Sequence, residues 1–430
     1  MMKNLIKFVV LSFLILSCAH VTKPGRYIAS KGESPFFGPE WTFTNSVLEE
    51  AGRKAGSHIV NTPENEAARD ELAQKIMKAC DNCVIESFAD KYGADMHRIY
   101  VDDNKWFIDV TVDPWVVEVK TSPLTAEQFK SQGDFIQRVV FDSAKEIGIT
   151  PSVRSGGGHI HIDLERAFEG DVMHFKNFLV DMTNNSFLNR GTFGDDQWNA
   201  PTLAELTKKQ QQAFQRIIDD VNANPKKWTI KKLAKKVESE VYTANPADWN
   251  PTHKYQNLNL TRVGLKSDAT VEIRGFHAQK DATHFVAITE LLDKRIEWIK
   301  TQKNIAFEPK LAFEAVSSKM ITNRLWKYSF EAGVEFDRLK SYSMTSLRGL
   351  DPEVKMVWPL VEAKLGREEG LKYMINLYGE DYSYPRDFVK SLKSMSQDLD
   401  PEVAKVAKFV LVKNQSSGNC LDLLRGIIAR

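Results

Sequence analysis

The chain has 430 residues, of which 42% are hydrophobic, and its formal net charge is +1. The 24 phenylalanines and 9 tryptophans indicate a globular body with a substantial core, and the length favours one large domain with a smaller one. Because 58 basic residues balance 57 acidic ones, the composition argues against nucleic acid or an anionic membrane surface as a partner.

The N-terminus has the pattern of an export signal. A short basic stretch, Met1–Lys7, precedes an apolar run, Phe8–Leu16, that is too short to span a bilayer. Ile15-Leu16-Ser17-Cys18 then matches a bacterial lipobox, in which the cysteine receives lipid. We therefore expect residues 1–17 to be a lipoprotein signal peptide and Cys18 to be acylated. The alternative is an ordinary cleaved signal peptide with an accidental cysteine.

The same segment predicts where the mature chain resides. Several acyl chains on Cys18 would hold it stably at a membrane, with residues 18–35 as a tether rich in Gly, Ser, Lys and Pro. Ala19 rather than aspartate follows the cysteine, so the outer membrane is the expected destination in a Gram-negative cell. Removal of Lys3 and Lys7 with the signal peptide leaves 56 basic against 57 acidic side chains. No later apolar run approaches membrane-spanning length, so we expect a soluble body outside the cytoplasm.

Three further cysteines remain. Cys80 and Cys83 have C-x-x-C spacing, which an oxidising compartment would allow to form a disulfide. The pair closes a helical pattern instead of opening a helix after a strand, and no second C-x-x-C completes a zinc site. A local disulfide or two free thiols is therefore favoured over a catalytic or metal role. Cys420 is expected to be a buried thiol.

Residues 36–308 have the mixed pattern of an α+β domain with antiparallel strands. The predicted strands are His97–Asp102 and Lys105–Val112 as one hairpin, Trp115–Thr121, Gly156–Leu164, and Asn257–Gly264 and Ala269–His277 as another. Four helices are predicted. The first is Glu64–Lys78, and the second begins at a Thr125/Gln128 capping box and carries Phe129, Ile136, Val140 and Ile147 on one face. The third is capped by Thr202 and Glu205, and the fourth carries Phe285, Ile288, Leu292, Ile296 and Ile299 on one face. Residues 309–430 have a helical pattern alone and are predicted to form an all-α region.

Four polar pairs with i, i+2 spacing lie on probable strands. They are Glu40 and Thr42, Glu118 and Lys120, His159 and His161, and Glu272 and Arg274. Residues i and i+2 of a strand project from the same face, so each pair shares a face while its apolar neighbours point into a core. Such a face could simply be solvated, and the H-x-H could be structural. Paired histidines are unusual on a solvated face, however, and the pairs in combination indicate a site.

The chemistry of these pairs suits a cation. Two carboxylates and an imidazole that converge would bind a divalent ion such as Mg²⁺ or Mn²⁺. An arginine beside them would neutralise a phosphate or a carboxylate. The glycine run at 156–158, directly before His159, would allow a ligand to approach the backbone closely.

Several segments occur in an order that is similar to a known family. They are Phe37-Gly38-Pro39-Glu40, Val117-Glu118-Val119-Lys120-Thr121-Ser122-Pro123-Leu124, Gly157-Gly158-His159-Ile160-His161, Tyr255-Gln256-Asn257-Leu258-Asn259 and Val271-Glu272-Ile273-Arg274-Gly275-Phe276. Together they resemble the amidoligase family, which belongs to the carboxylate–amine ligases that share the glutamine synthetase fold. The resemblance covers roughly residues 36–300 and leaves out the helical C-terminal part.

This resemblance implies a fold and a reaction. In residues 36–308 it implies a curved antiparallel sheet of the glutamine synthetase catalytic-domain type, with helices on one face. The concave face would hold ATP, two divalent cations (Mg²⁺ or Mn²⁺) and a carboxylate substrate. The γ-phosphate would pass to the carboxylate, and an amine would attack the acyl phosphate to form an amide or isopeptide bond. The exported location implies a peptide or cell-wall-related substrate.

The resemblance also implies a role for each polar residue. The expected metal ligands are Glu40, His159 and Glu272 for the nucleotide-bound cation and Glu118 for the second cation. The expected catalytic residues are Arg274, Glu118 and His161. The expected contacts to the nucleotide or the substrate are Lys120, Gly157, Gly158 and Asn259.

One departure from the family pattern leaves other functions open. Thr42 stands where family members carry a second glutamate on the first strand, which removes a carboxylate from the second metal position. An ATP-dependent ligase is the leading hypothesis. A non-catalytic descendant that binds a peptide or wall fragment is the first alternative, and a metal-dependent hydrolase that uses the same residues without ATP is the second.

Overall fold

A computed structural model describes ten stretches of the chain: residues 33–56, 61–89, 94–103, 105–113, 115–151, 156–185, 208–242, 256–265, 269–308 and 328–334. The predicted signal peptide, Cys18, Cys420, the predicted Thr202/Glu205 cap and most of the tether and of region 309–430 lie outside these residues. Among the helices that these stretches contain, none combines the length and apolarity needed to cross a membrane.

A ten-stranded antiparallel sheet forms the centre of the fold. Its strands are β1 (Phe36–Thr44), β2 (Val84–Ala89), β3 (Asp95–Val101), β4 (Trp106–Asp113), β5 (Val116–Thr121), β6 (Leu124–Thr125), β7 (Thr150–Pro151), β8 (His159–Asp163), β9 (Leu258–Asn259) and β10 (Thr270–Ile273). Eight of them run in the order β2-β3-β4-β5-β1-β8-β10-β9, and β6 and β7 pair with the ends of β1. The α+β class with antiparallel strands is therefore confirmed.

Ten α-helices accompany the sheet in the described residues. They are α1 (Ser46–Ala55), α2 (Pro63–Ala79), α3 (Ala126–Ser131), α4 (Gly133–Ile136), α5 (Ser143–Glu146), α6 (Leu164–Phe168), α7 (Val172–Asn184), α8 (Lys208–Ala223), α9 (Ile230–Glu240) and α10 (Ala282–Thr301). A π-helical segment, Gln137–Asp142, joins α4 to α5, and a short 3₁₀ turn, Pro225–Lys227, precedes α9.

One face of the sheet packs under helices, as the alternation of the strands predicts. Val117, Val119, Ile160, Ile162, Val271 and Ile273 are all fully buried. Trp41 of β1 packs edge-on against Phe285 of α10, with ring centroids 5.1 Å apart, and against Phe141 of the π-helical segment at 5.4 Å. Helix α2 lies against β3 and β4 on the same layer. The opposite face is therefore left to the polar residues between these apolar ones.

Both predicted hairpins are present; the first is close to its predicted length, whereas the strands of the second are much shorter than the predicted Asn257–Gly264 and Ala269–His277. Strands β3 and β4 pair from His97–Val110 to Val101–Trp106, and β9 pairs with β10 over two residues. The strand predicted at Gly156–Leu164 is shorter, because Leu164 begins α6 under the side-chain cap of Asp163. Edge strand β2, which is largely exposed, was not predicted.

The helix predicted from the Thr125/Gln128 capping box begins as expected but does not continue unbroken. Both hydrogen bonds of the capping box are formed. The helix ends at Ser131, resumes at Gly133 and contains the π-helical segment before Glu146. Glycine at this position weakens a continuous helix by about 0.5–1 kcal/mol. The predicted face is nevertheless retained, since Phe129, Ile136 and Val140 are buried.

The C-x-x-C pair forms a disulfide between Cys80 and Cys83, whose Cα atoms lie 5.7 Å apart. Cys80 directly follows the last residue of α2, and Cys83 directly precedes the first residue of β2. Of the two alternatives favoured from sequence, the local disulfide is therefore the one that the structure contains. Its position at a helix–strand junction gives it a structural role.

Because Lys176 of α7 is buried, we expect it to make the free energy of unfolding depend on pH. Its ammonium donates to Asn304 Oδ1 at 2.5 Å and to the Ile305 carbonyl at 3.5 Å. Burial lowers the pKa of Lys176 from 10.5 to about 8. Between these values the unfolded chain binds more protons than the folded chain, so this group makes the free energy of unfolding rise with pH.

We expect Lys176→Met to remove that contribution. Urea unfolding of the wild type and of Lys176→Met at several pH values between 8 and 10.5 measures this contribution. The free energy of unfolding of the wild type should increase relative to that of the variant as the pH rises. If the free energies of unfolding of the two proteins changed in parallel with pH, Lys176 would not have the lowered pKa described here.

Candidate metal centre

The strand order brings the four predicted pairs together on the polar face of the sheet, where most of these side chains are buried. Strand β1 lies between β5 and β8, so Glu40 is directly opposite Lys120 on one side and His159 on the other. In the next rows, Thr42 is opposite Glu118 and Glu272 is opposite His161. Arg274 follows β10 directly, and its backbone N–H donates to the Asn257 carbonyl. Antiparallel register, not chain proximity, therefore assembles the site.

Glu40 is the centre of the cluster. Its Oε2 accepts from His159 Nδ1 at 2.9 Å, and its Oε1 lies 3.1 Å from both His161 Nε2 and Lys120 Nζ. Burial raises the pKa of the Glu40 carboxyl, but Lys120 and the hydrogen bonds from His159 and His161 outweigh burial and hold the pKa well below its usual range. Glu40 is therefore an ionised carboxylate that faces two imidazoles.

Glu272 is fixed by neighbours on both of its oxygens. Arg274 Nη1 donates to Oε1 at 2.5 Å, and Asn259 Nδ2 donates to Oε2 at 2.6 Å. The Asn259 amide is itself oriented, because its Oδ1 accepts from the backbone N–H and the hydroxyl of Thr261. Burial raises the pKa of Glu272, but the positive charge of Arg274, followed by His159, outweighs it, so the net pKa is lowered. Glu272 is thus a second ionised carboxylate.

Glu118 and Lys120 form the other side of the cluster. Lys120 Nζ lies 2.7 Å from Glu118 Oε1, so its ammonium contacts Glu118 and Glu40 together. Burial, and then the charge of Glu40, raise the pKa of Glu118 to about 8. Burial lowers the pKa of Lys120, but the two carboxylates outweigh it and leave the pKa above its ordinary value. The lysine therefore stays charged.

Glu40, His161 and Glu272 could hold a metal ion. Each offers one ligand atom, and these atoms all lie within 4.8 Å of one another. His161 Nδ1 lies 3.1 Å from the Thr270 hydroxyl. Without a metal ion, His161 Nε2 donates to Glu40. With an ion bound, the other tautomer, in which Nδ1–H donates to the Thr270 hydroxyl, would present the Nε2 lone pair to the ion, as is common in metal-bound histidines. Two carboxylates with one imidazole fit a divalent cation.

Both histidines lie beside the two carboxylates of the cluster. His161, expected to be catalytic or near the substrate, belongs to the group of three, whereas His159 contacts both carboxylates through Nδ1, at 2.9 Å from Glu40 and 3.5 Å from Glu272. The other ring nitrogen of His159, Nε2, is buried and has no hydrogen-bond partner among the described residues. An unsatisfied buried polar group costs about 1–3 kcal/mol, so this atom also fits a site that receives a ligand.

The glycine run packs against the protein's own chain. Thr42 Oγ1 donates to the Gly157 carbonyl at 2.9 Å. Gly158 N–H donates to the Phe276 carbonyl at 2.9 Å, and the Gly158 carbonyl accepts from Gln279 Nε2 at 3.1 Å. The close approach that three glycines permit is therefore used, at least in part, to dock this run on β1 and on the segment after β10. Sequence reasoning missed Gln279, which is 1% exposed.

Gly158→Ala is expected to destabilise the fold beside the site. A Cβ added at Gly158 would lie 2.1 Å from both the His277 carbonyl oxygen and Gln279 Nε2, and the carbonyl belongs to the backbone and has little freedom to move. Overpacking of this kind typically costs about 1–3 kcal/mol. Urea unfolding measures the loss, and Gly133→Ala is a matched control because its Cβ has ordinary contact distances. Equal free energies of unfolding for Gly158→Ala and Gly133→Ala would contradict the close packing of Gly158 against the His277 carbonyl.

Similarity to known proteins does not add to this picture. No protein-family model matches the chain, and no curated protein matches it.

Proposed function

We propose that the chain is an exported, lipid-anchored carboxylate–amine ligase of amidoligase type, with a sheet of the glutamine synthetase catalytic-domain kind. The observation that carries the proposal is the convergence of Glu40, His161 and Glu272 on the polar face of an antiparallel sheet. Lys120 and Arg274, one on each side, add permanent positive charge. Carboxylates, imidazole and cations in one cluster suit a metal-bound nucleotide phosphate next to an acidic substrate.

Each residue of the site would have a separate role in such a reaction. A divalent cation, Mg²⁺ or Mn²⁺, would be held by Glu40, His161 and Glu272 and would supply charge neutralisation for the phosphates of ATP. Arg274, oriented by its bond to Glu272, would stabilise negative charge on the transferred phosphoryl group. Transfer of the γ-phosphoryl group of ATP to the substrate carboxylate would give an acyl phosphate and release ADP, and attack by an amine would then form the amide and release phosphate and a proton. With a pKa of about 8, Glu118 is suited to accept the amine's proton.

The substrate class follows from the proposed location. A lipid anchor at Cys18 would place the domain in the cell envelope, where peptides and cell-wall amino acids carry free carboxylates and amines. The near-neutral composition supports no nucleic-acid partner.

A non-catalytic role is the second candidate, and one observation favours it. Glu40, Glu118 and Glu272 are each paired with Lys120 or Arg274 inside the protein, and the Thr42 hydroxyl is bonded to Gly157. A face with its charges internally paired could bind a peptide or wall fragment without nucleotide. Nucleotide binding separates the two candidates.

A calorimetric titration of the full chain with ATP in the presence of Mg²⁺ tests the proposal. We expect saturable binding that Glu272→Ala abolishes and that Glu86→Ala, an exposed carboxylate on edge strand β2, leaves unchanged. A flat titration with a folded wild type would contradict a ligase. If a chelator then abolishes hydrolysis of an amide or phosphate ester, the result would favour a hydrolase; no activity at all would favour the binding role.

A further inference from the structure

The ammonium of Lys120 lies where two carboxylates of the site converge. Its Nζ is 3.1 Å from Glu40 Oε1 and 2.7 Å from Glu118 Oε1. These are contact distances, so the lysine bridges the two carboxylates as a bound cation would. Bridging of this kind is what a second metal ion would need from the same pair, because paired ions in enzymes share ligands at separations of about 3.5–4 Å.

On the side of the site that holds Lys120, the two carboxylates that could bind a second metal ion contact the lysine instead. Thr42 is opposite Glu118 in the register, and its hydroxyl donates to the Gly157 carbonyl instead of facing an ion. Glu118 Oε1 and Glu40 Oε1 both face the lysine. The carboxylates that could receive a second ion are therefore already in contact with a positive charge.

The summed charge of the site also disfavours a second divalent cation. Glu40, Glu118 and Glu272 supply three negative charges when ionised, and Lys120 and Arg274 supply two permanent positive ones. One divalent cation changes the sum from −1 to +1, whereas a second would bring it to +3 in a partly buried site with an ammonium at close range. Such repulsion is strong where solvent screening is weak.

We propose that Lys120 is a built-in cation that takes the place of a second metal ion, so that the site binds a single divalent cation through Glu40, His161 and Glu272. This inference rests on the proposed metal centre and alters its stoichiometry. It assigns Lys120 a positioning role, in which it holds Glu40 and Glu118 in place beside the ion.

Counting bound Mn²⁺ tests the proposal without nucleotide or substrate. Electron paramagnetic resonance of the full chain in mildly alkaline buffer gives the number of ions per chain from the loss of the free-ion signal. We expect one ion for the wild type and for Lys120→Arg, which keeps the charge. For Lys120→Met we expect two ions, with the coupled spectrum of a close pair. Lys120→Gln gives the same comparison if the methionine variant does not fold.

The outcomes separate this inference from the proposed function. Two ions in the wild type, or one ion with unchanged affinity in a folded charge-removing variant, would overturn the role of Lys120 and leave the metal centre intact. No ion bound by the wild type would overturn the metal centre itself and the inference with it.

Discussion

Asp181→Ala is expected to lower the free energy of unfolding by about 3 kcal/mol, the lower end of the range for breaking a buried ion pair, because the buried Arg295 guanidinium loses its two-point partner but keeps Glu331 and the Tyr328 carbonyl. Arg295 of α10 donates to Asp181 of α7 through Nε at 2.9 Å and through Nη2 at 2.5 Å. Both residues are at most 3% exposed. Burial raises the pKa of Asp181 even though Arg295 opposes the shift, which shows how strongly this position is desolvated.

Two controls isolate the effect of the buried pair. Lys294 and Glu297 form an ion pair on the same helix, with both side chains 49% exposed, and Lys294→Ala should cost less than about 1 kcal/mol. The double variant Asp181→Ala with Arg295→Met should recover part of the loss, since the buried guanidinium that Asp181→Ala leaves with Glu331 as its remaining acidic partner is removed as well. Urea unfolding measures all three variants. A similar cost for the buried and the exposed pair would show that Asp181 and Arg295 are not desolvated as described.

Glu40→Gln is expected to weaken Mn²⁺ binding by more than the roughly 10–100-fold that is typical when a residue that merely orients a ligand is lost. The substitution keeps the shape of the side chain but removes the charge that faces His159, His161 and Lys120. The remaining ligands, His161 and Glu272, would then hold a dication with a single carboxylate.

The matched control for this prediction is Glu86→Gln, an exposed glutamate at the edge of the same sheet, which should bind Mn²⁺ as the wild type does. Calorimetric titration with Mn²⁺ compares the three proteins. If the Glu40 variant kept wild-type affinity while remaining folded, the ion would have to bind elsewhere.

The residues of the polar face could be predicted from sequence because a strand alternates between faces. Glu118 and Lys120, or His159 and His161, share a face whatever the strands around them do. Their neighbours could not be predicted in the same way. That Glu40 lies between Lys120 and His159 depends on the insertion of β1 between β5 and β8, and these partners are about 80 and 119 positions away in the chain.

The features that the sequence did not reveal are set by tertiary packing. The pairing of Asp181 with Arg295 joins residues 114 positions apart, with no local signal. Gln279 and Gly158 meet because the segment after β10 returns to the glycine run. The break in the predicted helix after Ser131 coincides with Gly133, which weakens a continuous helix, and the short segments around it also pack on α10, which the capping box alone does not specify.

The most direct measurement of the cation centre is anomalous X-ray scattering from crystals of the chain grown with Mn²⁺. The expected result is a single peak among the side chains of Glu40, His161 and Glu272, next to the ammonium of Lys120. A peak elsewhere, or no peak in a well-ordered crystal at saturating Mn²⁺, would contradict the assignment of this face of the sheet as a metal centre.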